Sequence, residues 1–258
     1  MKVLDCESVE STYNSLEEIL GVKRHNIDNA FASIGDFDAF YRENPNYPDS
    51  PDELLLRTIT GPPSPTFSFD RVCWFHLTRT FRSNSFCRGV KPLGQQVNEI
   101  WEQLYSLLPR TFPKAEWDNF RQNMGSSHYA HLYGMKVDDP YHWGPYAVLI
   151  RDVAFRADET GYHDYLHIPE IVEDICMCFE KRYSLGLKQA FTNSTQPCIV
   201  KFWDAESQSS CLSPALRYLF DNFHANEFTD MDNTCFDGRA RTIPQGRILG
   251  IEFLDNVL

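Results

Sequence analysis

Apolar and polar residues alternate along RVCWFHLTRTF at residues 71–81, and this period of two predicts a strand with His76, Thr78 and Thr80 on one face. A different period governs PLGQQVNEIWEQLYSLL. There Val97, Ile100, Trp101, Leu104 and Leu108 fall at helical spacing, which predicts an amphipathic helix. Helices are also expected over AEWDNFRQNM, SPALRYLFDNFH and PEIVEDICMCFEKRYSLGLKQAF, the last opening on a proline suited to a first helical turn. Strands are expected over SHYAHLYGMKV, GPYAVLIRDV, DYLHI, QPCIVKFWD and the closing GRILGIEFL. The turn-rich DDPYHWG separates the first two.

The first 60 residues have an acidic, helical pattern. SLEEILG predicts a helix that starts at Ser15 and stops at Gly21, and SIGDFDAFYREN a second short helix. SPDELLLRTIT predicts a third, with Ser50 as N-cap and Pro51 in the first turn. GPPSPT at 61–66 then predicts a stiff, extended connector. The organisation expected is a helical lead and connector over 1–65, followed by a main domain over 66–258. Strands and helices interleave without a regular β-α-β rhythm, so the fold class expected is α+β.

Composition narrows the function classes. The chain has 258 residues, 42% of them hydrophobic, so a globular protein with a substantial core is expected. No apolar run approaches the ~20 residues of a membrane-spanning helix. MKVLDCESVESTYNSLEEIL carries acids early and lacks a signal-peptide apolar segment, so a cytoplasmic protein without a membrane partner is expected. Eight scattered cysteines, none in a C-x-x-C pair, read as reduced and mostly buried thiols. The net charge of −12 argues against passive binding to duplex nucleic acid. It leaves room for a local basic groove, and two clusters offer one: Arg82, Arg88 and Lys91, and Arg239, Arg241 and Arg247.

Three groupings carry candidate chemistry. The end of the 71–81 strand holds His76, Thr78 and Arg79, and SFCRGVKPLG follows it into a helix. Polar groups at a strand end satisfy a sheet edge in many proteins. A glycine at the turn after such a strand also lets backbone N–H groups approach a ligand. Glu227, in NEF after a predicted helix, is either a surface glutamate or a carboxylate placed to stabilise a developing cation. His128 and His131, and His163 and His167, lie at ligand-like spacings, but there is no H-E-x-x-H and no neighbouring cysteine partner, so no metal is expected. The phosphate-loop, dinucleotide and nucleophile-elbow glycine patterns are absent, and the serine of GSSHYAH near its histidine makes no triad by sequence adjacency.

The order of these pieces resembles the ADP-ribosyltransferase fold, most of all the DarT-like nucleic-acid-modifying toxins. FHLTR, then FCRGVKPLG, then QQVNEIWEQL match an early His-x-Thr strand, a glycine turn and a helix. NEF, then TIPQGRILGIEF, match a glutamate ahead of a proline turn and a final strand. The resemblance covers roughly residues 70–258. It implies a split β-sheet core with helices, and NAD bound as substrate in a cleft between two small sheets. It implies that His76 and Thr78 hydrogen-bond a ribose, and that Arg79 or a basic residue of the next loop faces the pyrophosphate. Tyr133 or Tyr146 would stack on nicotinamide, and Glu227 would be the catalytic residue. The implied partners are a macromolecular acceptor, single-stranded DNA or RNA ahead of protein, and an antitoxin. Two alternatives stand beside it. One is a two-histidine phosphoesterase, for which H-L-T at 76–78 supplies one motif while H-L-Y and H-I-P lack the hydroxyl partner. The other is a non-enzymatic, immunity-like binding protein.

Overall fold

Side-chain caps at Ser8, Asp36, Ser50 and Ser127 set the starts of four helices in the structure, a computed structural model that describes residues 1–62, 67–205 and 209–255. In chain order the elements are β1 (Val3–Leu4), α1 (Val9–Leu20), α2 (Arg24–Ile34), α3 (Phe37–Glu43), α4 (Pro51–Thr60) and β2 (Arg71–Thr80). Then come α5 (Leu93–Ser106), α6 (Lys114–Gln122), α7 (His128–Asp138), β3 (Tyr146–Val148), α8 (Ala157–Thr160) and α9 (Glu170–Tyr183). The rest are α10 (Leu187–Ser194), β4 (Gln196–Asp204), α11 (Leu212–His224), β5 (Cys235–Asp237) and β6 (Ile248–Phe253). Eleven α-helices and six strands among the described residues make an α+β fold. The strands are hydrogen-bonded in the order β5-β3-β2-β4-β6, with β1 beside β2. The described strands thus belong to one sheet, where the resemblance implied two small ones. Residues 63–66 of the expected connector, and with them the expected boundary at 65, lie outside the described residues.

The chain divides into two compact units. The first comprises Met1–Phe75, Val148–Tyr162 and Trp203–Cys235. Within it, β1 runs parallel to the start of β2, with Val3 opposite Arg71, and Phe75 lies opposite Val148 in an antiparallel pairing. Ser50 caps α4 through a reciprocal bond with Glu53, as its sequence predicts. α1 starts earlier than expected, because Ser8 and Ser11 form a second capping box; it stops at Gly21, whose φ of 70° suits glycine. α11 packs on α1, α2 and α4, burying Leu16, Ile27, Phe31, Leu55 and Phe220. Each such side chain contributes about 2 kcal/mol by leaving water. The rings of Phe31 and Phe220 pack edge to face with their centres 5.5 Å apart, so early and late segments share one core.

The second unit comprises His76–Ala147, His163–Phe202 and Phe236–Leu258. Its centre is an aromatic cluster in which Trp101, Trp117, Phe120 and Phe179 are fully buried. β4 and β6 pair antiparallel, with Val200 opposite Ile251. SHYAHLYGMKV forms the helix α7 here, not the strand its aromatic content suggested. Ser127 accepts from Ala130 N as N-cap, and Tyr129, Ala130, Tyr133 and Val137 lay one helical face on the cluster. The buried Asp174 of α9 pairs with Lys136 of α7 at 2.7 Å and fixes that contact. DYLHI is a turn: Asp164 O accepts from His167 N and Ile168 N, and its side chain accepts from His167 N as well. GPYAVLIRDV is strand only over Tyr146–Val148 and passes into a 3-10 turn at Arg151–Phe155. The long helix expected after Pro169 divides at Ser184, whose φ is 55°, into α9 and α10. Six of the eight cysteines are buried; Cys87 and Cys235 are exposed.

Candidate functional site

The polar end of β2 is organised within the second unit. His76 Nδ1 lies 2.7 Å from Tyr146 O. A carbonyl oxygen only accepts, so Nδ1 carries the proton and Nε2 is the acceptor nitrogen. Desolvation outweighs that hydrogen bond and holds the imidazole below its usual pKa, which keeps it neutral at pH 7. The Tyr146 hydroxyl donates to Tyr141 O at 2.7 Å, which fixes a ring that is 41% exposed. Thr78 follows two residues along the same strand face and is partly exposed. The result is an acceptor nitrogen and an aromatic surface, each held by a backbone carbonyl, with a hydroxyl along the same strand face.

Arg79 points to the opposite side of the strand and is 8% exposed. Its Nε donates to Thr195 Oγ1 at 3.0 Å, one terminal nitrogen to Leu166 O at 3.2 Å, and the other to Thr192 O and Thr195 O at 2.7 and 3.1 Å. The guanidinium therefore ties β2 to the end of α10 and to the turn before α9, using donors that a phosphate would need. Tyr133 is also engaged. It lies on α7 against the aromatic cluster, and its hydroxyl accepts from Trp101 Nε1 at 2.9 Å. Glu227 belongs to the first unit, exposed on the segment between α11 and the 3-10 turn at Asp230–Asp232. Of the six residues chosen from sequence, the structure brings His76 and Tyr146 into contact and sets Thr78 along the same strand face.

No protein-family model, curated protein or solved structure matches this chain.

Two further sequence signals have structural explanations. Gly89, at φ 79°, turns against Ile243, where a Cβ would sit 2.0 Å from the carbonyl oxygen; the glycine serves the backbone bridge between Val90 and Ile243. His163 Nε2 lies 2.6 Å from Ile168 O. Among the described residues no group of three His, Cys, Asp or Glu side chains is placed to hold a metal ion. No helix among them is long and apolar enough to cross a membrane.

Sequence reading missed two features. A depression of about 270 Å³ is lined by Gly125, Ser126, Ser127, Cys178, Lys181 and Arg182 of the second unit. Its only sequence signal was the GSSH stretch. In the first unit, Asp232 is fully buried and its carboxyl is pushed up to about 7, chiefly by desolvation and then by its contact with Asp221. The TDMD stretch gives no hint of that burial, because acids in an irregular segment are ordinarily solvated.

Proposed function

We propose that this protein is an NAD-dependent ADP-ribosyltransferase that modifies a macromolecule, single-stranded DNA or RNA ahead of protein, in the role of a bacterial toxin or phage-defence effector. The observation that carries the reading is the neutral His76 fixed by Tyr146 O, with Thr78 on the same strand face and the Tyr146 ring exposed beside it. Nε2 can accept from a ribose hydroxyl while the Thr78 hydroxyl donates or accepts as the sugar requires. Tyr146 suits stacking on nicotinamide better than Tyr133, whose face is packed in the aromatic cluster. Arg79 is committed to protein acceptors, so the charge facing the pyrophosphate falls to the loop after β2, where Arg82 is exposed. Glu227 is assigned by resemblance. Its carboxylate would stabilise the positive charge that develops as the bond from ribose to nicotinamide breaks; an acceptor nucleophile then attacks the anomeric carbon and gives up its proton. An acidic enzyme has to recognise a nucleic-acid acceptor through local basic groups.

Incubation of the protein with labelled NAD and single-stranded DNA, RNA or cell lysate, beside Glu227→Gln, tests the reading. Transfer of label to one acceptor class by the wild type only is the expected result, with growth arrest on expression relieved by the same variant or by an antitoxin. Nicotinamide release without transfer would reduce the activity to NAD hydrolysis. Absence of both NAD binding and NAD turnover overturns the proposal and returns the phosphoesterase and partner-binding alternatives.

A further inference from the structure

The segment that carries Glu227 is closed by two acids of the first unit. Asp232 has no solvent exposure, and its Oδ2 accepts from Thr229 N at 2.6 Å and from Thr229 Oγ1 at 3.1 Å. Its Oδ1 is equally buried, and no donor reaches it. The 3-10 turn that carries it packs on α11, where the side chain it meets is Asp221. Asp221 Oδ1 in turn accepts from Asn226 Nδ2 at 2.8 Å, and Asp221 O accepts from Asn226 N at 2.9 Å. Residues 226–232 are therefore tied at both ends to one pair of carboxyl groups, with Glu227 between the ties. Asn233, next in the chain, accepts from Leu149 N and Ile150 N through its side-chain oxygen, which anchors the far end in the core.

Two ionised carboxylates offer each other only acceptors, and bringing both into a dry contact is strongly unfavourable. A proton on Asp232 Oδ1 resolves the conflict. The carboxyl then donates to Asp221, while Oδ2 keeps its two bonds from Thr229. We propose that Asp221 and Asp232 form a proton-sharing clasp that positions the segment carrying Glu227 and loosens when the shared proton leaves. The link to catalysis rests on the reading of Glu227 given above; the clasp itself does not.

The other titratable groups on α11 have partners of their own. On α11, Tyr218 donates to Asp152 at 2.6 Å, His224 Nε2 lies 3.2 Å from Phe31 O, and Arg217 pairs with Asp52. Arg156 lies over the Phe228 ring, 5.3 Å from its centre. Asp221 is the acidic side chain that Asp232 meets. A carboxyl raised to about 7 supplies stability that is complete below the ordinary carboxylate range and is lost as pH rises toward and through 7. The clasp is closed in mild acid and weakens above neutrality.

Cleavage of the full chain by a glutamyl-specific protease between pH 6 and pH 8 tests this, read as the rate of cutting after Glu227. Asp232→Asn is the decisive variant, because its amide oxygen can accept from Thr229 and its NH2 can donate to Asp221 without titrating. Wild-type cleavage should rise roughly tenfold relative to Asp232→Asn across that range, following the one to two pH units of titration. Asp232→Ala should be cut rapidly at both pH values, and Asp221→Asn should flatten the wild-type profile. A constant ratio between wild type and Asp232→Asn overturns the clasp. If NAD turnover is measurable, it should decline above neutral pH in the wild type and hold in Asp232→Asn. PH-dependent cleavage in a protein that never turns over NAD would support the clasp and sink the catalytic reading separately.

Discussion

The knot around Arg79 and the clasp around Asp232 each bury a side chain that water would otherwise solvate, and they solve the problem in opposite ways. Arg79 sends its N–H groups to a hydroxyl and three carbonyl oxygens, donors against acceptors, with nothing left to negotiate. Asp232 sets an acid against an acid, an arrangement completed only by a proton that can leave. Guanidinium does not titrate in the working range, so the first arrangement is insensitive to pH. Carboxyl groups do, so the second is conditional. Burial of a polar group thus gives permanence or responsiveness according to whether its partners are complementary.

The largest test of this contrast is Arg79→Ala. It strands Leu166 O, Thr192 O and Thr195 O in a buried setting and should cost about 3 kcal/mol in urea unfolding. Arg79→Lys should recover little of that, because an ammonium group lacks the planar fork that reaches all three. Wild-type stability in the lysine variant would show that charge alone holds the knot. Next is Asn233→Ala, which removes the acceptor shared by Leu149 N and Ile150 N and should cost about 2 kcal/mol. If it unfolds at the wild-type urea midpoint, the anchor assigned to that end of the clasp is absent.

A smaller effect separates the two faces of β2. His76→Ala should cost about 1 kcal/mol at pH 7 and weaken NAD binding measured by calorimetry. The folded state holds His76 below its usual pKa, so its contribution is present above about pH 6.5 and is lost as the pH falls. The gap between variant and wild type should narrow in acid, opposite in sign to the Asp232 effect. A gap that widens in acid would overturn the neutral state assigned to His76. The smallest stability change belongs to Glu227→Gln. An exposed carboxylate should be replaceable within about 0.5 kcal/mol by thermal melting while transferase activity disappears. Equal activity in the two proteins would remove Glu227 from the chemistry.

What the chain determined by itself was local. Ser50, Pro51 and Glu53 specify the start of α4 because a capping box needs only contacts three residues apart. The same holds for the 3.6-residue stripe of α5, where one apolar face is enough to choose the period, while β2 forms as read although Val72–Phe75 are buried on both faces of the strand. The α+β class was legible for the same reason. Elements whose own pattern is neutral were decided elsewhere. α7 carries aromatic and histidine residues that suit a strand equally well, and the cluster of Trp101 and Phe179 selects the helix by giving one helical face somewhere to bury. α2 escaped notice because its apolar positions are separated by His25, Asn26, Asp28 and Asn29, and only the packing of Ile27 and Phe31 makes them a stripe.

Roles diverged further than elements did. His76 and Arg79 read alike as polar groups at a strand end, yet the partners of Arg79 lie between 87 and 116 residues away and convert it into a strut. Tyr133 and Tyr146 were interchangeable as aromatics until one was packed against Trp101 and the other left facing solvent. Asp221 and Asp232 are ordinary surface acids in the text of the chain. The turn after α11 folds one back onto the other, and desolvation, which no sequence pattern records, turns the pair into the group whose proton matters.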